Sequence, residues 1–565
     1  MSALDWAVLL GTLAAIVGYG VWKTRAAKSM STYLRGGSDA RWYTIGLSIM
    51  ATQASAITFL STPGQGFDDG LGFVQFYFGV PIAMVVLSAT IVPLYYRTRV
   101  FTAYEYLEQR FDLKTRQLTA LIFLLQRGLG AGLSIYAPAI ILSTVLGWSL
   151  TWTNVLIGAV VIAYTVSGGT RAVNQTQQLQ MVVMLGGMGL AFVYLFTTLP
   201  QGITAGDAVG LAGAMGKLQA IDFSPSLQTR YTFWSGITGG TFVALAYFGT
   251  DQSQVQRYLS GESLKQSRLG LLFNGLLKVP MQVMILGVGV VVFVFFLFNA
   301  PPLFFNAPAL DAARAAAPEK VAALEQRHAQ VFEQRRAAID AWVSARHGGE
   351  AAAQVSAEAS LRALDAEARK VRADTKAVVL AADPRANPKD ADYVFLTFVM
   401  TRFPEGLVGL LLAVILCAAM SATASALNAL GTTSVVDFYR RSVDPRLDEQ
   451  RGVRVARWFT VGWGTLAVGF AAFASQLDNL IQATNILGSI FYGPMLGVFL
   501  VGFFFTRVKG TAAFAATLVA QAVVVATWLG SDIGFLWYNV IGCFVVVAVS
   551  LVLTAVLPPP KPAAA

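Results

Sequence analysis

Two charged side chains, Arg127 and Lys278, stand inside long apolar runs, where a charge needs a partner or a ligand. Arg127 lies about ten residues into the run 117–147, and Lys278 about twelve into the run 266–298. At about 1.5 Å of rise per helical residue, Arg127 falls near the middle of a bilayer. A charge there costs at least about 2.5–3.5 kcal/mol, so a functional or paired role is the default for both. With Gln126 beside it, Arg127 suits carboxylate recognition. A hydrogen bond to the carbonyls of an interrupted helix is the other role open to it. Lys278 reads as structural, its ammonium anchoring unwound backbone or standing in for a bound cation.

Two further runs are too polar to face lipid smoothly. Ser48 to Pro63 carries Thr52, Gln53, Ser55, Thr58, Ser61 and Thr62, and Cys417 to Asn428 carries Ser421, Thr423 and Ser425 among small alanines. Both read as interrupted helices. Unpaired backbone in hydrocarbon costs several kcal/mol per group, so a broken helix there must line a cavity or bind something. Carbonyls with one or two hydroxyls suit a hard monovalent cation, because oxygen dipoles replace its water without a net charge. Close packing of small residues is the alternative for the second run taken alone.

The elements that carry these residues are membrane helices. The chain has 565 residues, 55% hydrophobic and 13% charged, well below the charge of soluble domains. Thirteen apolar runs reach spanning length: 4–22, 44–61, 71–96, 117–147, 150–166, 178–199, 232–250, 266–298, 405–430, 455–475, 480–506, 510–529 and 535–557. The first has no basic residue before it and is followed by Trp22-Lys23, so it reads as a retained helix and not a signal peptide. Alternate loops carry 23 Lys and Arg on one side and only Lys217, Arg230 and Arg402 in the short loops of the other. Basic loops stay cytoplasmic, which puts the N-terminus outside and the C-terminus inside a cell (inner) membrane crossed many times. The net charge of +10 is thus a topology signal and a contact with anionic lipid, not a nucleic-acid site.

Residues 301–395 separate a block 1–300 from a block 396–565. This stretch holds 13 acidic and 13 basic residues and both histidines, His328 and His347. Leu364, Val371 and Val378 recur every seven residues, as Leu324 and Val331 do once, and Gly348-Gly349 marks a turn. The expectation is a helical hairpin projecting on the external side, where it could recruit a protein partner. No histidine lies in any span, which excludes a histidine proton relay across the membrane. Cys417 and Cys543 sit in apolar runs as buried thiols. No nucleophile–base arrangement or phosphate loop supports an enzyme.

Several stretches taken together resemble the sodium/solute symporter family. They are Gly249-Thr-Asp-Gln-Ser-Gln-Val-Gln-Arg257-Tyr-Leu-Ser, Leu276-Leu-Lys278, Gly493-Pro-Met-Leu-Gly497, Ser167-Gly-Gly-Thr and Val436-Asp437-Phe-Tyr. The resemblance covers 1–300 and about 395–557. It implies the leucine-transporter type of fold: all-α, thirteen membrane helices, with two inverted five-helix repeats in spans 2–6 and 7–11. It also implies a sodium site from the carbonyls of Ala51, Ala54 and Ala418 and the hydroxyl of Ser421. Family members with the fuller pattern carry a second hydroxyl where this chain has Ala422; Thr423 is a substitute turned about 100° away on a regular helix. Members with a further sodium site carry an Asp in the sixth span, where this chain has Gln177, which points to one sodium per cycle. Positions aligned with sugar-binding residues are Thr58, Tyr77 and Ala244, a poor set for sugar hydroxyls.

The expected function is sodium-coupled symport of a small polar organic solute, an anion or zwitterion before a sugar, by alternating access. The expected solute contacts are Gln53, Thr58, Gln126, Arg127, Trp234, Tyr247, Gln482 and Asn485, with Tyr247 and Tyr492 as gates. Proton-coupled or uncoupled transport is the alternative within this fold. A solute sensor that moves nothing is the alternative from another class, disfavoured because only Pro558-Pro-Pro-Lys-Pro-Ala-Ala-Ala follows the last run.

Overall fold

The computed structural model describes residues 1–24, 33–34, 36–37, 39–98, 100–384, 390–474 and 480–557. Arg25, Lys28, Arg35, Arg99, Lys561, Ser475 at the end of the tenth run, and the tail from Pro558 lie outside the described residues. In chain order the helices are α1 (Ala3–Thr24), α2 (Trp42–Gln53), α3 (Ala56–Asp69), α4 (Gly79–Ala89), α5 (Ile91–Thr98), α6 (Ala103–Arg110) and α7 (Leu113–Leu146). They continue as α8 (Leu150–Thr197), α9 (Ala205–Ala214), α10 (Phe233–Thr250), α11 (Gln252–Leu259) and α12 (Leu264–Phe298). Next come α13 (Ala307–Ala316), α14 (Pro318–Gly348), α15 (Ala351–Ala382) and α16 (Ala391–Arg402). The chain closes with α17 (Leu407–Thr433), α18 (Glu449–Ala471), α19 (Leu480–Phe504), α20 (Gly510–Gly530) and α21 (Leu536–Val556).

The fold is all-α; the described residues contain one isolated bridge, Ala40 to Gly261, and no strand. The described part of each expected apolar run is helical, the second and third runs over more than one helical segment, and nine segments among the described residues are long and apolar enough to cross a membrane. The outward faces of the bundle carry Trp152, Val193, Leu276 and Trp458, each more than 60% exposed, a surface suited to hydrocarbon. The runs 150–166 and 178–199 abut as α8, bent at Gly169, whose φ of 59° permits the turn.

Two breaks organise the bundle. The second run splits between α2 and α3, where Ala54 (ψ 87°) and Ser55 (ψ 174°) leave helical geometry. The other lies just past the seventh run, at Asp251 (φ −79°, ψ 117°), where α10 gives way to α11. The run from Cys417 to Asn428, expected to be interrupted, is instead part of one continuous 27-residue helix, α17. Two of its hydroxyls are answered without unwinding: Ser421 donates to the Ala418 carbonyl at 3.0 Å and Thr432 to that of Asn428 at 2.8 Å.

Small residues let the broken helices approach their neighbours backbone to backbone. A Cβ on Gly289 would lie 1.9 Å from the Pro63 carbonyl oxygen, and one on Gly66 would lie 2.3 Å from that of Leu286. α3 and α12 thus meet across two glycines.

The insert is a helical hairpin, α14 and α15, turned at Gly349 in the left-handed region (φ 72°). Its buried seam on α15 is Leu361, Asp365, Val371, Thr375 and Val379, while Leu364 and Val378 are half-buried. The seven-residue series therefore meets the seam at Val371 alone, because the helices pack along positions three and four apart. The hairpin does not project; it lies along the bundle, held at both ends. Near its tip, His347 and Arg346 reach Asp207 on α9 at 3.1 and 3.3 Å. Nearer its root, Arg372 pairs with Asp68 at 2.8 Å and with Asp390, and between them Arg362 donates to the Ala214 carbonyl at 3.0 Å. Burial pushes Asp207 upward, but the Thr204 hydroxyl and amide and then His347 outweigh it and hold its carboxyl below the ordinary value. Burial lowers His328, whose Nε2 bonds the Pro301 carbonyl at 2.9 Å.

Gly289→Ala should lose roughly 1–3 kcal/mol of stability, read as a lower denaturation midpoint of the purified protein, because α12 must move off Pro63. His328 is lowered in the folded chain, so the unfolded chain binds its proton first. The stability it contributes is complete above about pH 6.5 and declines as pH falls below that. Thermal midpoints of His328→Gln should accordingly fall less than the parent's between pH 7.5 and 5.5.

Candidate substrate and cation site

A cavity with about 1050 Å³ of empty space, part of it open to solvent, lies between the two helix breaks. Gln53, Thr58, Gln126, Arg127, Tyr247 and Asn485 line it, with Tyr492. Six of the eight expected solute contacts and both expected gate tyrosines therefore share one wall. Thr52, Ser55, Ser134 and Thr484 add hydroxyls, and Tyr77 and Ala244 lie on the same wall. Gln53 Oε1, Gln126 Oε1 and Asn485 Nδ2 are buried without a partner among the described residues. Buried polar atoms are rarely left unpaired, so these are atoms that a polar solute would satisfy.

Trp234 and Gln482 do not belong to that wall. Trp234 sits on the first turn of α10, 48% exposed, and donates its indole N–H to the Phe223 carbonyl at 3.1 Å. Gln482 lies one turn from Asn485 and accepts from Arg230 at 2.6 Å while donating to Gln65 at 3.2 Å. It bridges α19 to α3 above the cavity.

Arg127 is paired, which the sequence did not reveal. Its guanidinium donates to Asp251 Oδ2 and, at 3.0 Å, to the Tyr492 hydroxyl, which donates to the same carboxylate at 3.1 Å. Gln126 donates to that hydroxyl at 3.2 Å, and the Tyr247 ring centre lies 5.3 Å from the guanidinium carbon. The other carboxylate oxygen accepts from the amide and hydroxyl of Ser253 at 2.9 and 2.6 Å, capping α11. One aspartate thus neutralises Arg127 and starts the helix after the break. The carboxylate recognition expected of a free Arg127 is corrected to one in competition with Asp251. Lys278, 1% exposed, rests against the Tyr77 ring at 5.1 Å from its centre.

Beside the other break, Ser421 donates to the carbonyls of Ala51 at 2.9 Å and Ala418 at 3.0 Å. Three of the four expected cation ligands therefore converge, and buried Ala54 stands at the break itself. All are neutral oxygens, a donor set that fits a hard monovalent ion. Among the described residues no group of three or more His, Cys, Asp or Glu could hold a multivalent metal. Ala422 faces the cavity without a hydroxyl, and the Thr423 hydroxyl is buried without a partner among the described residues. Gln177 fills the adjoining space: its amide nitrogen donates to Ser425 at 2.7 Å, Thr52 at 3.1 Å and the Ser421 carbonyl at 3.2 Å, and its oxygen accepts from Ser48.

A family model described as the sodium:solute symporter family matches residues 33–329 and 371–520. Sodium-coupled monocarboxylate transporter 2 of Mus musculus is 26% identical over 540 residues, 94% of this chain and 73% of that protein. Sodium/sialic acid symporter SiaT of Proteus mirabilis (strain HI4320) is 25% identical over 572 residues, 99% and 96% of the two chains. The human sodium/iodide cotransporter is 32% identical over 320 residues, 55% of this chain and 48% of that one. A solved Na+-coupled sialic acid symporter in a substrate-bound outward-open state superposes with a TM-score of 0.75 at 23% identity, over 99% of each chain, and shares the fold.

Asp251→Asn leaves Arg127 buried without its counter-charge and should cost roughly 3–5 kcal/mol in denaturation of the purified protein. Arg127→Met combined with Asp251→Asn should recover most of that loss. A single variant as stable as the parent would show that the pair does not hold the fold.

Proposed function

The chain belongs to the sodium:solute symporter family, and on that premise we propose that it carries a small organic carboxylate inward with one sodium ion by alternating access. The observation that carries the solute reading is the cavity lining, which brings unpartnered amide atoms of Gln53, Gln126 and Asn485 together with Arg127, itself paired with Asp251. The named relatives support it, since monocarboxylates, sialic acid and iodide are all anions.

In this reading the solute carboxylate takes over the Arg127 N–H groups from Asp251. The freed aspartate keeps its contact with Ser253, so solute arrival is felt at the first turn of α11. Sodium sits between α2 and α17 on the carbonyls of Ala51, Ala54 and Ala418 and the Ser421 hydroxyl, holding the broken helix against the continuous one. Both ligands favour the same conformer, and that shared preference is the coupling. The amide of Gln177 already satisfies the oxygens next to this site, which supports one sodium per cycle.

The 23-to-3 asymmetry of loop cations supports an N-terminus outside and a C-terminus in the cytoplasm of the cell membrane. The hairpin then lies on the external face, and its exposed side is where a protein partner would dock.

Uptake into proteoliposomes at fixed pH, with and without an inward sodium gradient, tests the coupling. The expected outcome is accumulation of a short-chain carboxylate only with the gradient, about tenfold higher sodium demand in Ser421→Ala, and loss of uptake in Arg127→Ala. Uptake driven by a proton gradient instead would favour the variant of this fold in which Ala422 has removed sodium binding. Unchanged uptake in Arg127→Ala would refute the carboxylate reading.

A further inference from the structure

A second cavity, with about 660 Å³ of empty space partly open to solvent, lies where the hairpin meets the ends of α3 and α12. One wall is aromatic, with Phe67, Phe293, Phe296 and Phe305. The other is cationic: Lys217, Arg335, Arg369 and Arg372 line it, against only Asp68 and Asp365.

The cations are unevenly answered. Arg372 has Asp68 at 2.8 Å and Asp390 behind it. Asp365 serves two guanidinium groups, Arg369 at 2.9 Å and Arg335 at 3.6 Å. Lys217, 6% exposed, donates to the backbone carbonyls of Phe67 and Asp68 at 2.9 and 2.6 Å, and no carboxylate lies within ion-pair distance of it among the described residues. Arg335 is 7% exposed, and its Nε is buried without a partner among the described residues. Burial lowers both from their ordinary values, Lys217 against the opposing pull of Asp365, Asp68 and Asp69 and Arg335 against that of Asp365.

A buried cation beside an unfilled space is stabilised by an anion that enters it, and an aromatic wall opposite suits a hydrocarbon body. We propose that this junction binds a small organic carboxylate, its oxygens on Arg335 and Lys217 and its apolar body against the phenyl rings of α3 and α12. The occupant touches the hairpin through Arg335 and the bundle through Lys217 and Phe293, so it cements one to the other. The site shares no described lining residue with the central cavity and does not rest on the transport reading.

The test uses the purified full chain with Ala368→Cys, a position on the cavity wall; the native Cys417 and Cys543 are buried. Maleimide labelling of the introduced thiol is followed against benzoate, added as its N-methylglucamine salt in sodium-free buffer. Saturable protection of at least fivefold is expected. Adding Arg335→Gln, or Lys217→Gln if that variant does not fold, should raise the benzoate concentration needed at least tenfold. Protection no greater than that of chloride at equal ionic strength overturns the proposal, as does an unchanged benzoate requirement in the variants. Labelled benzoate in proteoliposomes separates two sources of the same chemistry. Accumulation under a sodium gradient marks the bound carboxylate as passing solute, and its absence marks a resident effector; protection supports the site in both.

Discussion

Backbone groups released by a broken helix have no water to turn to inside a bilayer, and the arrangement of this molecule follows from how it answers them. At Ala54-Ser55 the opening between α2 and α3 faces α17, whose Ser421 hydroxyl already gathers two carbonyls. At Asp251 the opening between α10 and α11 is closed by a side chain, which caps the new helix and binds a guanidinium from α7. Neither break is repaired by continuing the helix. A polar side chain from another helix meets each of them, Ser421 at the first and Arg127 at the second, and the cavity lies between.

The same constraint explains why α17 stays whole. Ser421 and Thr432 turn their hydroxyls back onto carbonyls three or four residues earlier, and Gln177 and Thr52 meet Ser425 from neighbouring helices. A run dense in serine, threonine and alanine reads as interrupted or as close-packed from composition alone. What decides is whether hydroxyls find partners on the helix surface, which only the neighbours can settle. Gln177, 125 residues from Thr52 in sequence, is such a neighbour.

Much of the site was legible because membrane burial makes polar residues conspicuous. Arg127, Gln126, Gln53 and Thr58 stood out against apolar surroundings, and the structure places all four on one wall. The paired Gly348-Gly349 likewise announced the hairpin turn. Asp251 was visible inside a quoted motif but not as the partner of Arg127, since the cost of a buried charge says that a partner exists and not where. Trp234 and Gln482 do not line the cavity for a geometric reason: each lies on a helix that reaches it, but one turn or one face away. The hairpin was expected to project on the external side. Asp207, Ala214 and Asp68, which hold it down, belong to other segments.

That pinning sets where the bundle can part. α14 and α15 are each about 45 Å long, at about 1.5 Å per residue. Fastened to Asp207 at one end and to Asp68 and Asp390 at the other, they form a strut across α9, α12 and α3. Helices under a strut keep their spacing and turn as one body. Parting α3 from α9 or α12 on this face would cost those ion pairs, whereas α3 and α19, outside the strut, meet through the hydrogen bond from Gln482 to Gln65.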